Sequence, residues 1–308
     1  MDCKIVIIGA GHVGSHCASA LAMDGTAKEI VLLDRDQEKA QAQSFDVADS
    51  VSFLQHPATV RAGSYEDCRD ADIVVVAVGK ARIPGQTRLD LLADSVVMAR
   101  DVADHLNEVQ YRGIVITITN PADIIADCMR KRMEAKRWRV FGTGTLLDTA
   151  RLLRILSEET GVDRRSIQAF ALGEHGDSSM IPFSSITIGG IPLAQYPDMN
   201  KAHILERTRG IGMDIINGKG STEFGIGSAL TTMVRTILRD EKRILPASVL
   251  LEGEYGQREV HCGVPCLIGR NGIEKIMQLD LTTEEATQLD ASCQVIKTHI
   301  RMADHQIM

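Results

Sequence analysis

Apolar residues in the first 120 positions come in short, nearly unbroken runs: KIVII (4–8), EIVLLD (29–34), TVRAG (59–63), DIVVVAVG (72–79) and GIVITITN (113–120). Between them lie stretches with helical periodicity. Runs of this length without polar alternation fit strands buried on both faces. Strands that alternate with helices predict a doubly wound parallel sheet. From about Phe141 the pattern shifts to long helices and segments that read as antiparallel strands, SSITIGGIPL, ILPASVLLEG and VHCGVPCLIG. The expected organisation is α/β: a doubly wound parallel sheet over residues 1–142, then an α+β domain over 143–308. The last helix begins with a capping box, Thr282 and Glu285. Its apolar positions Ala286, Leu289, Cys293, Ile296 and Ile300 fall on one face, which predicts burial.

Composition narrows the possibilities. At 308 residues the chain can form two modest domains. A net charge of −7 gives no reason to expect nucleic acid or an anionic membrane surface as partner. The longest apolar runs, such as 73–78, are too short to span a bilayer. Met-Asp-Cys-Lys leads straight into the first strand, so the expected location is cytoplasmic. The seven cysteines are scattered, with no C-x-x-C spacing, and read as free buried thiols. Cys262 and Cys266 beside His261 could pass for metal ligands, but small thiols in a strand are usually core, and no metal is expected. The basic run from Arg130 to Arg139 includes Glu134 and reads as a solvated helix end.

The first strand runs into G-A-G-H-V-G, with Gly9, Gly11 and Gly14 around His12 and Val13, and a helical pattern follows. The second strand ends in Asp34, twenty residues after Gly14. Strand, glycine turn, helix, strand and acid in register are the Rossmann dinucleotide fingerprint. The helix start offers amide hydrogens to a pyrophosphate. Asp34 would bond a ribose diol and repel a 2′-phosphate, which favours NAD over NADP, although Arg35 is adjacent. Gly79 and Asn120 stand at carboxyl ends of strands, where such sheets bind ligands; Asn120 before Pro121 also reads as a simple turn.

A second group of residues carries chemistry. Asp148 and Arg151 in GTLLDTAR are three apart on one predicted helix face, and His175 follows in GEHGD. A carboxylate can orient an imidazole while a guanidinium grips a substrate carboxylate. That set can protonate an anchored 2-oxo acid. Between the fourth strand and the next helix, KARIPGQTR carries Arg82 and Arg88 around a Pro-Gly turn. On spacing alone these arginines read as solvated.

Taken together, GAGHVG, Asp34, the loop ending in Arg88, TNP at 119–121, LDTAR and GEHGD resemble, in order, the lactate/malate dehydrogenase family of L-2-hydroxy acid dehydrogenases. The resemblance runs from about Lys4 to the last helix. It implies an NAD cofactor, His175 as proton donor and acceptor, and Asp148 as its partner. It implies Arg151 on the substrate carboxylate, Arg88 polarising the carbonyl, Asn120 bonding the substrate, and Thr222 lining the pocket. Arg82 stands where lactate enzymes carry glutamine and matches the malate pattern; a second substrate carboxylate would need such a cation. Gln86 replaces a glutamate common in lactate enzymes. GEHGD, Thr222 and the LDTAR context resemble lactate or L-2-hydroxyisocaproate dehydrogenases instead. With more weight on the loop, the expectation is oxaloacetate/L-malate, with pyruvate/L-lactate or a branched acid as the alternative. The family also implies a homodimer or homotetramer. Effector-binding relatives place a basic arginine and histidine where this chain has Leu153 and Gln168, so fructose 1,6-bisphosphate is not expected to activate. A non-catalytic NAD-binding sensor and an NAD-dependent glycosidase are the other classes; the first does not need the Asp148, Arg151 and His175 set, and the second needs a metal.

Overall fold

A computed structural model describes residues 3–79, 88–196 and 199–305, apart from the side chains of 88–91 and 305. Its first part alternates strand and helix. β1 (Lys4–Ile8), α1 (His12–Asp24), β2 (Glu29–Leu33), α2 (Gln37–Val51) and β3 (Thr59–Ala62) come first. β4 (Ile73–Val76), α3 (Arg88–Glu108), β5 (Ile114–Thr117), α4 (Ala122–Arg132) and β6 (Val140–Gly142) follow. These strands pair parallel, in the spatial order β6-β5-β4-β1-β2-β3. Strand order therefore reverses between β1 and β4. Ligands of such sheets bind at this switch point, beyond the carboxyl ends of the strands. The unbroken apolar runs are explained by cover on both faces: β4 and β5 are buried at every position.

The second part opens with α5 (Leu146–Thr160) and three two-residue strands, β7 (Ile167–Gln168), β8 (Thr187–Ile188) and β9 (Ile191–Pro192), which form a small antiparallel sheet. α6 (Lys201–Lys219) and α7 (Phe224–Leu238) follow. Then come β10 (Arg243–Glu252), β11 (Arg258–Gly269), β12 (Gly272–Ile276) and α8 (Thr283–His305). β10, β11 and β12 are antiparallel and extend the large sheet past β6, through Ser248 opposite Gly142. One core joins the two parts, with buried residues from Cys3 to Ala303. A smaller cluster packs α5 and α6 on β7 and β8.

The α8 capping box forms as expected: Thr282 N donates to Glu285, and Glu285 N donates to the Thr282 hydroxyl. Leu289, Cys293, Ile296 and Ile300 are buried, but Ala286 is exposed. Glu285 takes the inward place instead, because it also accepts from Ser184 N at 2.9 Å and from the Ser184 hydroxyl at 2.5 Å. Cys262 and Cys266 are fully buried in β11, as expected of core thiols. Arg130, Lys131 and Arg132 form the last turn of α4, where cations complement the helix dipole. Among the described residues no helix is long and apolar enough to cross a membrane.

Candidate active site

The glycine turn has the shape of a dinucleotide clamp. Gly9 follows β1 at φ +107°, and a Cβ there would lie 2.6 Å from the Ala77 carbonyl oxygen. A Cβ at Gly14 would lie 1.8 Å from the Gly9 carbonyl oxygen, so no side chain fits between α1 and the turn. Gly11 caps α1 with no side-chain acceptor, and the first turn holds no acid. The amide hydrogens of that turn are thus left for an anion. His12 is exposed and Val13 half-buried beside them. Asp34 at the end of β2 accepts from Ala10 N at 2.9 Å and from Asp36 N at 3.1 Å. These bonds aim its carboxylate across the turn and leave lone pairs for a diol. Around Gly79, past β4, there is open space on the side a Cβ would fill. The residues present therefore fit a dinucleotide.

The second constellation is brought together as expected. Asp148, in the first turn of α5, accepts from His175 Nδ1 at 2.6 Å through one oxygen. Its other oxygen accepts from Arg151 Nη1 at 3.1 Å, one helical turn on. The side chains of Asp148, Arg151 and His175 are 8%, 11% and 22% exposed, so water screens these charges little. Asp148 raises the pKa of His175, against the opposing effect of burial; Asp123 adds to the rise and Arg151 reduces it. Burial works against the charge on Asp148, but His175 and then Arg151 hold its carboxyl below the usual range. α6 runs close over this group: a Cβ on Gly212 would sit 3.4 Å from both Nη atoms of Arg151.

The loop bearing His175 is tied down from several sides. Gly173 and Gly263 of β11 exchange backbone hydrogen bonds at 3.0 and 2.9 Å. Glu174 N donates to Ser292 of α8 at 2.9 Å. His175 N donates to Asp123 Oδ2 of α4 at 2.9 Å. Asp123 was not among the residues expected from sequence. The one available signal was an acid at the start of the apolar run ADIIA.

The remaining expected residues are less enclosed. Asn120 is exposed between the end of β5 and α4. Thr222 is half-buried just before α7, next to Glu223. Hydrogen bonds from Ser221 and Lys219 lower the Glu223 pKa, with a smaller contribution from His12. The Thr222 segment thus borders the start of the glycine clamp. Arg82 and Gln86 lie outside the described residues, as does the side chain of Arg88, whose backbone opens α3. Leu153 is half-buried and Gln168 exposed, and neither carries a charge.

Comparison with known proteins places the family and the fold. Residues 3–142 match the lactate/malate dehydrogenase NAD-binding domain, and residues 145–307 match the α/β C-terminal domain of the same family. An L-lactate dehydrogenase of Fusobacterium nucleatum is 41% identical over 307 residues, covering 97% of this chain and 96% of that protein. The ligand-bound crystal structure of a minor L-lactate dehydrogenase from Enterococcus mundtii superposes with a TM-score of 0.95 at 34% identity, covering 97% of this chain and 98% of that one. The malate dehydrogenase of Aeropyrum pernix superposes with a TM-score of 0.91 at 35% identity, covering 96% and 97%. The chain belongs to the lactate/malate dehydrogenase family, oxidoreductases whose first domain binds NAD.

Proposed function

We propose that this enzyme reduces pyruvate to L-lactate reversibly, with His175, Asp148 and Arg151 as its working group. The observation that carries the chemistry is Asp148, which bonds His175 Nδ1 and Arg151 at once. With Nδ1 committed to Asp148, Nε2 is the nitrogen free to serve the substrate. Arg151 grips the substrate carboxylate through two parallel hydrogen bonds. Arg88 polarises the carbonyl, and Asn120 and Thr222 border the substrate. When bound at the glycine clamp, NADH supplies the hydride. His175 then gives its proton from Nε2 to the carbonyl oxygen, and Asp148 stabilises the imidazolium beforehand. Asp34 selects NAD by bonding its ribose diol.

The substrate itself divides the sequence features. The specificity loop on its own puts oxaloacetate first, because Arg82 could pair with a second carboxylate. The relatives named above support pyruvate better, since the Fusobacterium and Enterococcus proteins are L-lactate dehydrogenases and the lactate-like motifs run through the body of the chain. Arg82 keeps oxaloacetate/L-malate as the second reading: one charge-assisted hydrogen bond contributes about 1.5–3 kcal/mol, one to two powers of ten in selectivity. NADH oxidation titrated separately with pyruvate, oxaloacetate and 2-oxoisocaproate decides between them. Pyruvate is expected to lead in kcat/KM. An oxaloacetate lead of about tenfold or more, some 1.4 kcal/mol, would make Arg82 the governing residue. Arg82→Gln should then reverse the order.

His175→Asn should cut turnover by about 10²–10⁴ while NADH binding persists; retained turnover would remove His175 from the mechanism. A homodimer or homotetramer, a cytoplasmic location and indifference to fructose 1,6-bisphosphate belong to the same proposal. Phe45 and Phe53, on and just after α2, are 62% and 90% exposed, which suits a surface covered by a second subunit.

A further inference from the structure

A carboxylate outside the His175, Asp148 and Arg151 group is wired to the same loop. Asp123 is 1% exposed, in the first turn of α4. Its Oδ2 accepts the backbone N–H of His175 at 2.9 Å, and its Oδ1 accepts from the Ser248 hydroxyl of β10 at 2.5 Å. A buried acid would normally be replaced by something apolar unless its bonds are needed. Here the two oxygens clamp one strand of the sheet, one helix and the residue that bears the imidazole. His175 is therefore flanked by two carboxylates, Asp148 at the ring and Asp123 at the backbone.

We propose that Asp123 is a positioning residue for the reaction: it fixes the backbone of His175 and places a second negative charge beside the imidazole. This rests on the reading of His175 as the proton donor. Among the described residues, the charged groups that act most on the imidazole are Asp148 and Arg151 of α5 and Asp123 of α4. Those around Asp123 are His175 and Glu174 of the loop, with Ser248 of β10 and the Cys262 thiol of β11 as its uncharged neighbours. Asp123 and Asp148 favour the imidazolium and Arg151 opposes it, so removing the Asp123 charge must lower the pH at which His175 gives up its proton. Burial pushes the Asp123 carboxyl up to about 6, despite the bonds from Ser248 and His175. The folded chain thus holds that proton more tightly than the unfolded one, and ionising Asp123 costs stability as pH rises from about 4 through 6.

Asp123→Asn separates the two roles, because the amide oxygen still accepts from His175 N while the charge is gone. The expected result is a downward move of about half a pH unit or more in the midpoint at which kcat/KM for 2-oxo acid reduction falls. Stability at pH 7 should be unchanged or higher. Asp123→Ala, which also removes the acceptor, should lower kcat by a further 10-fold or so and leave NADH affinity intact. A wild-type pH midpoint in Asp123→Asn overturns the proposal, whatever the alanine variant does. His175→Asn, run in parallel, distinguishes the two failures. If it is inactive while Asp123→Asn titrates like wild type, only the role of Asp123 falls; if it retains turnover, the assignment of His175 falls first.

Discussion

Asp148 divides its two oxygens between an imidazole and a guanidinium, and this division governs how activity follows pH. The reductive direction needs protonated His175, and its pKa is raised above the usual value of about 6.5. Reduction of the oxo acid should therefore hold at low pH and fall as pH rises through that raised value. Oxidation of the hydroxy acid needs the neutral ring and should rise over the same interval. The linked stability has the same sign: the His175 contribution is complete below about 6.5 and is lost as pH rises through the folded-state value. Profiles of kcat/KM in both directions check this; two profiles with the same slope would refute a single shared proton. Arg151→Lys tests the other arm. Lysine keeps the charge but cannot form the planar pair of bonds, so KM for the oxo acid should rise about 10-fold to 100-fold while NADH affinity is kept. An unchanged KM would show that the carboxylate binds elsewhere.

At the level of elements, α8 shows both how far local sequence reaches and where it stops. Thr282 and Glu285 form the box that their spacing predicts. Thr282→Ala should cost about 1 kcal/mol, read as a lower urea midpoint with an unchanged slope; no change would mean that the helix start is held by Glu285 and Ser184 alone. The inward turn of Glu285 in place of Ala286 could not be read, because its second partner, Ser184, is 101 residues away. The parallel strands were legible because burial on both faces removes polar alternation. The glycine clamp was legible because backbone approaches as close as that of Gly14 to Gly9 allow no other residue. Asp148, Arg151 and His175 could be joined because two of them share a helix and the third follows shortly. Asp123 escaped notice for the opposite reason: its bonds to His175 and Ser248 span 52 and 125 residues, and an acid at a helix start already has a local explanation. Nor could the weight given to Arg82 be judged from the loop alone, since a side chain's type does not say where it points.

Across the whole molecule the two family segments share more than a linker. β6, the last strand of the first, bonds β10 of the second at Gly142 and Ser248, and one buried core runs from Cys3 to Ala303. The α4 face that bears Asp123 also bears Asp127, whose Oδ1 lies 3.1 Å from Nδ1 of the fully buried His261 in β11. Separating the segments would expose this polar seam together with apolar surface, and water would have to enter both at once. The chain should therefore unfold in one step, unlike proteins whose domains melt independently. Its single tryptophan is placed to report on this. Trp138 stands just before β6, and its carbonyl accepts from Ile273 N of β12 at 3.1 Å, so its surroundings change when the junction opens. Urea unfolding at fixed protein concentration should give the same midpoint by Trp138 fluorescence and by far-ultraviolet ellipticity. If fluorescence changes at a clearly lower urea concentration, the segments part before they melt, and the buried seam along α4 contributes less than its burial suggests. In that case a loosened junction would also relax Asp123 and, through it, the backbone of His175, so activity should disappear with the fluorescence change rather than with the ellipticity.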